Sequence, residues 1–238
     1  MASVVRYFSQ PENYLAKDFI ARVRTDIIGD AFGALAPCDV LDAGCGDGRI
    51  SAALLRHGHR VTFLDTSSEM LALARQNASG AEDRAEFIEG TLDAIPAGRR
   101  FGLILCLGLM AHVTSVEATL ASIASLALHD TPIAIQITDT GSVIGRMNSR
   151  YTFWRERHFK GFGYQLNRLD VAELIRAAAK CNLELAKTYR YSVVLPGMIR
   201  VLPNWLLYRM SAISRRWPVS LIGGEVIAIF RQTDTPGS

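Results

Sequence analysis

Three glycines spaced two apart, in Val40-Leu41-Asp42-Ala43-Gly44-Cys45-Gly46-Asp47-Gly48-Arg49, constrain this chain of 238 residues more than any other feature. The apolar run 38–43 predicts a short strand, and 50–57, closed by Gly58, predicts a helix. Glycine adopts positive φ freely and puts no side chain in the way, so the link between them is a sharp turn against which a ligand can lie. In an open α/β sheet such a turn stands at the carboxyl ends of the strands, beside the ligand crevice. A second strand, 60–65, ends in Asp65, seventeen residues beyond Gly48. A carboxylate there can accept both hydroxyls of a ribose lying across the strand tips.

The alternation continues. A helix is expected over 67–78, with Thr66, Ser67 or Ser68 as its cap and Glu69 in its first turn. Strands follow at 85–89 and 101–106, a helix at 115–128, a strand at 133–139, a helix at 168–180, and strands at 183–191 and 225–231. A helix over 11–35 precedes them all, with Leu15, Phe19, Val23 and Ile27 on one stripe. Strands separated by helical patterns imply right-handed parallel crossovers, hence an α/β, doubly wound, Rossmann-like sheet of seven mostly parallel strands. One domain spans 1–238, with an N-terminal helical lid at 1–36 and substrate-side inserts at 141–167 and 192–224, each too short to bury a core of its own. The stretch 101–128 carries Glu117 as its only formal charge, yet glycines, serines and His112 break it into strand, loop and helix rather than a membrane span.

Composition narrows the classes further. With 49% hydrophobic and 21% charged residues, the chain is neither disordered nor a coiled coil. Cys38, Cys45, Cys106 and Cys181 lack CxxC spacing, which disfavours a zinc site or a disulfide framework and fits a reduced cytoplasm. The start of the chain shows no basic-then-apolar signal pattern. The net charge of +3 hides an asymmetry: residues 1–140 sum to −6 and 141–238 to +9, so the two parts face different partners. That net charge is a weak footprint for nucleic acid.

The turn discriminates between ligands. A pyrophosphate wants G-x-G-x-x-G without fixed negative charge nearby, and here the third glycine comes one position early. Asp42 and Asp47 flank the turn, where they repel phosphate and attract a ligand carrying an ammonium and a sulfonium. S-adenosylmethionine is such a ligand; a nicotinamide-dependent oxidoreductase is the rival enzyme class, and a cofactor-binding regulatory module the non-enzymatic one.

VLDAGCGDGR, followed by FLDTSSEML, resembles class I S-adenosylmethionine-dependent methyltransferases over about residues 38–139. The resemblance implies an antiparallel last strand. It implies that Asp42, Gly44, Cys45 and Gly46 hold the methionine portion, that Asp65 takes the ribose hydroxyls, and that Thr66 and Met70 border the adenine. Thr91 and Leu92 stand where relatives contact the adenine amine, and Cys106, Leu107 and Gly108 lie beneath the methionine portion. Met70 also reads as core packing, and Cys45 and Cys106 as small apolar residues. No Asn/Asp-Pro-Pro-Tyr/Phe follows the fourth strand, which disfavours adenine or amide nitrogens as acceptors and favours a small molecule.

On the acceptor side, His112 reads either as a base or as a structural histidine bonding its loop, with Asp139 and His158 as alternative bases. The first insert interleaves arginines with aromatics, and Tyr151, Trp154, Arg155 and His158 are its candidate acceptor contacts, suited to a partly apolar, anionic metabolite. Arg6-Tyr7-Phe8 and Tyr14 are candidates to close over the cofactor. A helix over 203–217, with Leu206, Met210, Ile213 and Trp217 on one stripe and Arg209, Arg215 and Arg216 as its charges, reads as a lid or homodimer contact, or as a peripheral membrane helix reaching a lipid-like substrate.

Overall fold

The computed structural model describes residues 18–158, 167–195, 197–213 and 222–233. Seven strands form one sheet: β1 Asp39–Ala43, β2 Arg60–Asp65, β3 Ala85–Glu89, β4 Leu103–Leu107, β5 Pro132–Thr138, β6 Leu183–Tyr191 and β7 Glu225–Gln232. Their order is β3-β2-β1-β4-β5-β7-β6. β1 pairs in parallel with both β2 and β4, while β7 runs antiparallel between β5 and β6. The strand order reverses between β1 and β4, so the crevice of the fold opens at the carboxyl ends of those two strands. This is the doubly wound sheet the alternation implied, with the antiparallel last strand that the resemblance implied.

Both faces of the sheet are covered, which is why β4 (LILCL) and most of β5 (PIAIQIT) read as unbroken apolar runs. One face packs under α1 (Asp18–Phe32), the short α2 (Ala52–Leu55) and α3 (Ser68–Asn77). Val23, Ile27, Leu54 and Leu71 there meet Val40, Phe63 and Leu105. On the other face α4 (Val116–Ser125) and, after α5 (Val143–His158), α6 (Val171–Ala179) lay Leu120, Ile123 and Leu174 on Leu41, Ile104 and Ile135. Ser67 caps α3 by accepting from the Met70 N–H at 3.2 Å, and Asp170 with Glu173 forms a capping box on α6.

Several elements differ from expectation. Over 50–57 only Ala52–Leu55 is α-helical, because Leu54 N–H bonds back to Ser51 and His57 N–H to Leu54, three residues apart, tightening both ends. The first helix begins, within the described residues, at Asp18 and ends at Phe32, with Gly29 inside it and Gly33 just beyond. Tyr14 and Arg6-Tyr7-Phe8 lie outside the described residues. The first insert contains α5, a sixteen-residue helix its arginine-rich sequence does not advertise.

The second insert forms α7 (Met198–Val201) and α8 (Asn204–Ile213), and the stripe expected on α8 is off by one position. Leu207 and Ser211 are buried, Leu207 packing with Phe19 and Val194, and Tyr208 donates to Asp26 of α1 at 2.7 Å. Trp205 stays 59% exposed. The α8 helix therefore clasps α1. Trp217, Arg215 and Arg216 lie outside the described residues. Among the described residues no helix is long and apolar enough to cross a membrane, and 101–128 resolves into β4, a turn and α4.

Candidate active site

The glycine turn takes the shape the sequence demands. Gly44, Gly46 and Gly48 have φ of 70°, 55° and 67°, a region side chains rarely adopt. At Gly48 a Cβ would also come within 2.8 Å of the Phe63 ring, so only glycine lets the turn settle on β2. The N–H groups of Gly44 and Cys45 donate to Leu64 O at 2.8 and 3.0 Å, and Gly46 N–H donates to Asp65 Oδ2 at 2.8 Å. Cys45 therefore contributes backbone: its thiol is buried and its pKa is pushed well up by burial and by neighbouring carboxylates.

Two carboxylates set the electrostatics. Asp42 is only 3% exposed, beneath the turn, where Ser51 Oγ donates to its Oδ2 at 2.5 Å. Burial pushes its pKa up to about 7; the Ser51 hydrogen bond opposes this, and the charges of Asp65 and Asp47 add to it. Asp65 is also raised by burial, opposed by the N–H groups of Ser67, Gly46 and Thr66. A carboxylate offers about four lone-pair positions, so Asp65 can hold the turn and the α3 cap and still accept from a ribose. Among the described residues no basic side chain pairs with Asp42 or Asp65.

Asp47 behaves differently from expectation. It is buried against Arg49, which donates to it through Nε at 2.5 Å and reaches Asp18 through NH1 at 2.8 Å. Arg49 offsets most of its charge, so the negative field at the turn comes chiefly from Asp42 and Asp65. These fit a cationic nucleoside: a buried carboxyl held near pH 7 gains from a nearby positive charge.

Around the adenine side the structure separates rim from core. Thr66 is exposed beside Asp65, whereas Met70 is 1% exposed and packs in the core, so the packing reading holds for it. Thr91 is exposed and Leu92 half-buried against the core. The Thr91 hydroxyl donates to Asp93, a carboxylate held below its usual pKa by that bond. Asp93 is thus an exposed carboxylate beside Thr91 on this rim. Cys106 is fully buried on the face opposite α1 with its pKa raised by burial, so its side chain does not face the crevice; Leu107 ends β4 in the core on the α1 face. All four cysteines are free thiols.

The loop after β4 carries His112, half-buried, its N–H donating to Leu109 O at 2.8 Å. A Cβ on Gly44 would come 3.1 Å from the Leu109 side chain, so this loop abuts the glycine turn. Asn167, at the end of the first insert, pins the loop: its Nδ2 donates to Met110 O and Val113 O at 3.1 and 2.6 Å. Asp139, the alternative base, is 3% exposed and occupied by Arg190 NH1 at 2.5 Å and by the N–H groups of Gly141 and Val171. It ties β5 to β6 and α6. On α5 Tyr151 and Trp154 lie 6.2 Å apart, and Phe153 and Trp154 are more than half exposed, so these two face solvent rather than walling a pocket. The side chains of Arg155 and His158, on the same helix, lie outside the described residues.

A polar cluster on the same edge of the sheet escaped the sequence. Gln136 of β5 donates to Glu225 of β7 at 2.5 Å, Thr138 Oγ1 donates to the same carboxylate at 3.0 Å, and Arg24 of α1 stands 3.7 Å from it while donating to Tyr191 OH at 2.8 Å. Its members come from four distant stretches, and β5 reads as wholly apolar; the lone Gln136 is the only signal.

Residues 40–128, which carry the turn and both carboxylates, match the methyltransferase-domain family. Over those residues the chain is similar to methyltransferase domains. The ubiquinone biosynthesis O-methyltransferase of Aeromonas salmonicida is 32% identical over 106 residues, 44% of this chain and 44% of that protein. The chain thus matches less than half the length of that relative. Among solved structures, a Thermotoga maritima S-adenosylmethionine-dependent methyltransferase, possibly a histamine N-methyltransferase, superposes with a TM-score of 0.69 at 16% identity over 98% of this chain and 99% of that one. The [4+2]-cyclase SpnF does so with a TM-score of 0.63 at 13% identity over 89% and 80%. At such identities the likeness shows the fold alone, and the cyclase demonstrates that this fold hosts other chemistry.

Proposed function

We propose that this chain is a methyltransferase that moves a methyl group from S-adenosylmethionine to O, N or C of a small, partly apolar and anionic acceptor. The observation that carries this reading is the glycine turn set between Asp42 and Asp65, two burial-raised carboxylates with no basic partner among the described residues. When bound, S-adenosylmethionine supplies a methyl already activated on a sulfonium sulfur. The protein is left to align the acceptor and exclude water. Asp65 and the backbone of Gly44–Gly46 hold the nucleoside and methionine ends, Asp42 supplies negative potential beneath them, and Asp93 receives the adenine amine. His112 takes the acceptor's proton.

Calorimetry tests the reading: S-adenosylhomocysteine binds and NADH does not, and the reverse pattern overturns it. A second reading, action on an amphipathic substrate at an anionic membrane, is favoured by Ile199, Val201 and Trp205, 41%, 81% and 59% exposed, with Arg209 exposed alongside. Flotation with anionic vesicles tests it, and an unbound protein ends it.

A further inference from the structure

We propose that Gln136, aimed by Glu225 and flanked by Arg24, is the acceptor-positioning site, and that it selects an acceptor whose reacting atom is a hydroxyl oxygen. This rests on the methyl-transfer reading above. Gln136 is the one polar side chain among the buried positions 132–137 of β5, 3% exposed, where an unbonded amide is costly. A carboxylate can only accept, so the 2.5 Å approach to Glu225 fixes which end of the amide meets it: the Nε2. The opposite rotamer would press two oxygens together. The Oε1 must therefore point away from Glu225, and among the described residues nothing donates to it.

What that oxygen faces is the gap left by Gly108, the residue straight after β4, with φ of 100°. A Cβ on Gly108 would stand 3.6 Å from Gln136 Oε1 and 3.8 Å from Arg24 NH1, so an acceptor and a donor converge where the chain has omitted a side chain. The next residue, Leu109, touches the glycine turn, so the gap and the proposed methyl donor share one loop.

A hydroxyl meets both groups. On binding it donates to Gln136 Oε1, accepts from Arg24, and keeps one of its two lone pairs for the incoming methyl; as the O–C bond forms and the S–C bond breaks, the proton leaves Gln136 for His112, the base proposed above. A neutral amine has a single lone pair; accepting from Arg24 uses it up. A carboxylate has no proton to give and would face Gln136 Oε1 and Glu225 together.

The test supplies phenol and aniline at equal concentration with the donor, and measures S-adenosylhomocysteine binding in parallel. The expected result is anisole in preference to N-methylaniline. The Gln136→Met variant, similar in length but without the amide, should lower transfer to phenol about tenfold, the worth of one hydrogen bond, while leaving S-adenosylhomocysteine affinity unchanged. Preference for aniline, transfer to neither probe by a protein that binds S-adenosylhomocysteine, or undiminished transfer by Gln136→Met each overturns the proposal. Failure to bind S-adenosylhomocysteine defeats the parent reading instead. If Gln136→Met does not fold, the preference of the unaltered protein still decides.

Discussion

Replacing Asp42 by Asn should stabilise this protein at neutral pH while weakening its hold on a cationic ligand. Asp42 is buried, with its carboxyl raised from 3.8 to about 7, chiefly by burial. Between those values the folded chain keeps a proton that the unfolded chain has released, so folding stability falls as pH rises from about 4 to about 7. At about 1.4 kcal/mol per unit, the three-unit displacement amounts to about 4 kcal/mol once Asp42 is ionised. Asn keeps an oxygen to accept the Ser51 hydroxyl, now at 2.5 Å from Asp42, and does not titrate. The two proteins should therefore be equally stable near pH 4, and the variant should lead by an amount that grows to pH 7 and then levels off. Urea unfolding at pH 4, 5.5, 7 and 8.5 reads this directly. A stability difference that does not change with pH refutes the reasoning. The same titration bears on binding: affinity for S-adenosylmethionine should rise with pH through about 7 in the unaltered protein and stay flat in the variant.

Asp65→Ala should weaken S-adenosylhomocysteine binding by about 1–3 kcal/mol, the loss of buried ribose hydrogen bonds, with calorimetry as the measure and unchanged affinity as the refutation. His112→Ala should leave that affinity intact and lower turnover roughly 100-fold or more, as removal of a general base does; a loss under about threefold leaves alignment alone to explain the rate. Asp93→Asn should weaken binding of the adenine end less than Asp65→Ala does, because its carboxylate is solvent-exposed, and a larger effect refutes that ordering.

The strands were legible because each is a local pattern. β3 and β6 fall where alternation and apolar content place them, and the run Thr66-Ser67-Ser68 announces the start of α3, of which the structure uses Ser67 as the cap. The turn and Asp65 were legible for the same reason: glycines at fixed spacing and an acid at a strand end are written within 26 residues of sequence. Asp47 misled because its partner, Arg49, two positions on, turns back onto it only once the glycine turn has formed. α5 stayed hidden because its apolar residues are few among arginines, and α8 was read one position out because Leu206 and Leu207 are equally apolar and only packing on α1 chooses between them. The Gln136–Glu225–Arg24 cluster could not be read at all. It exists only when β5, β7 and α1 meet.

That meeting has a consequence for how the molecule is made. β7 is not an ornament on the sheet's rim but a wedge between β5 and β6, and its Glu225 follows Gln136 by 89 positions. While the ribosome works through that interval, β5 waits with one flank raw, an edge that invites the wrong neighbour. A nascent chain halted before residue 225 would own the nucleoside crevice yet lack the carboxylate that aims Gln136. Competence to receive the nucleoside thus precedes, in the life of each molecule, competence to choose what is modified.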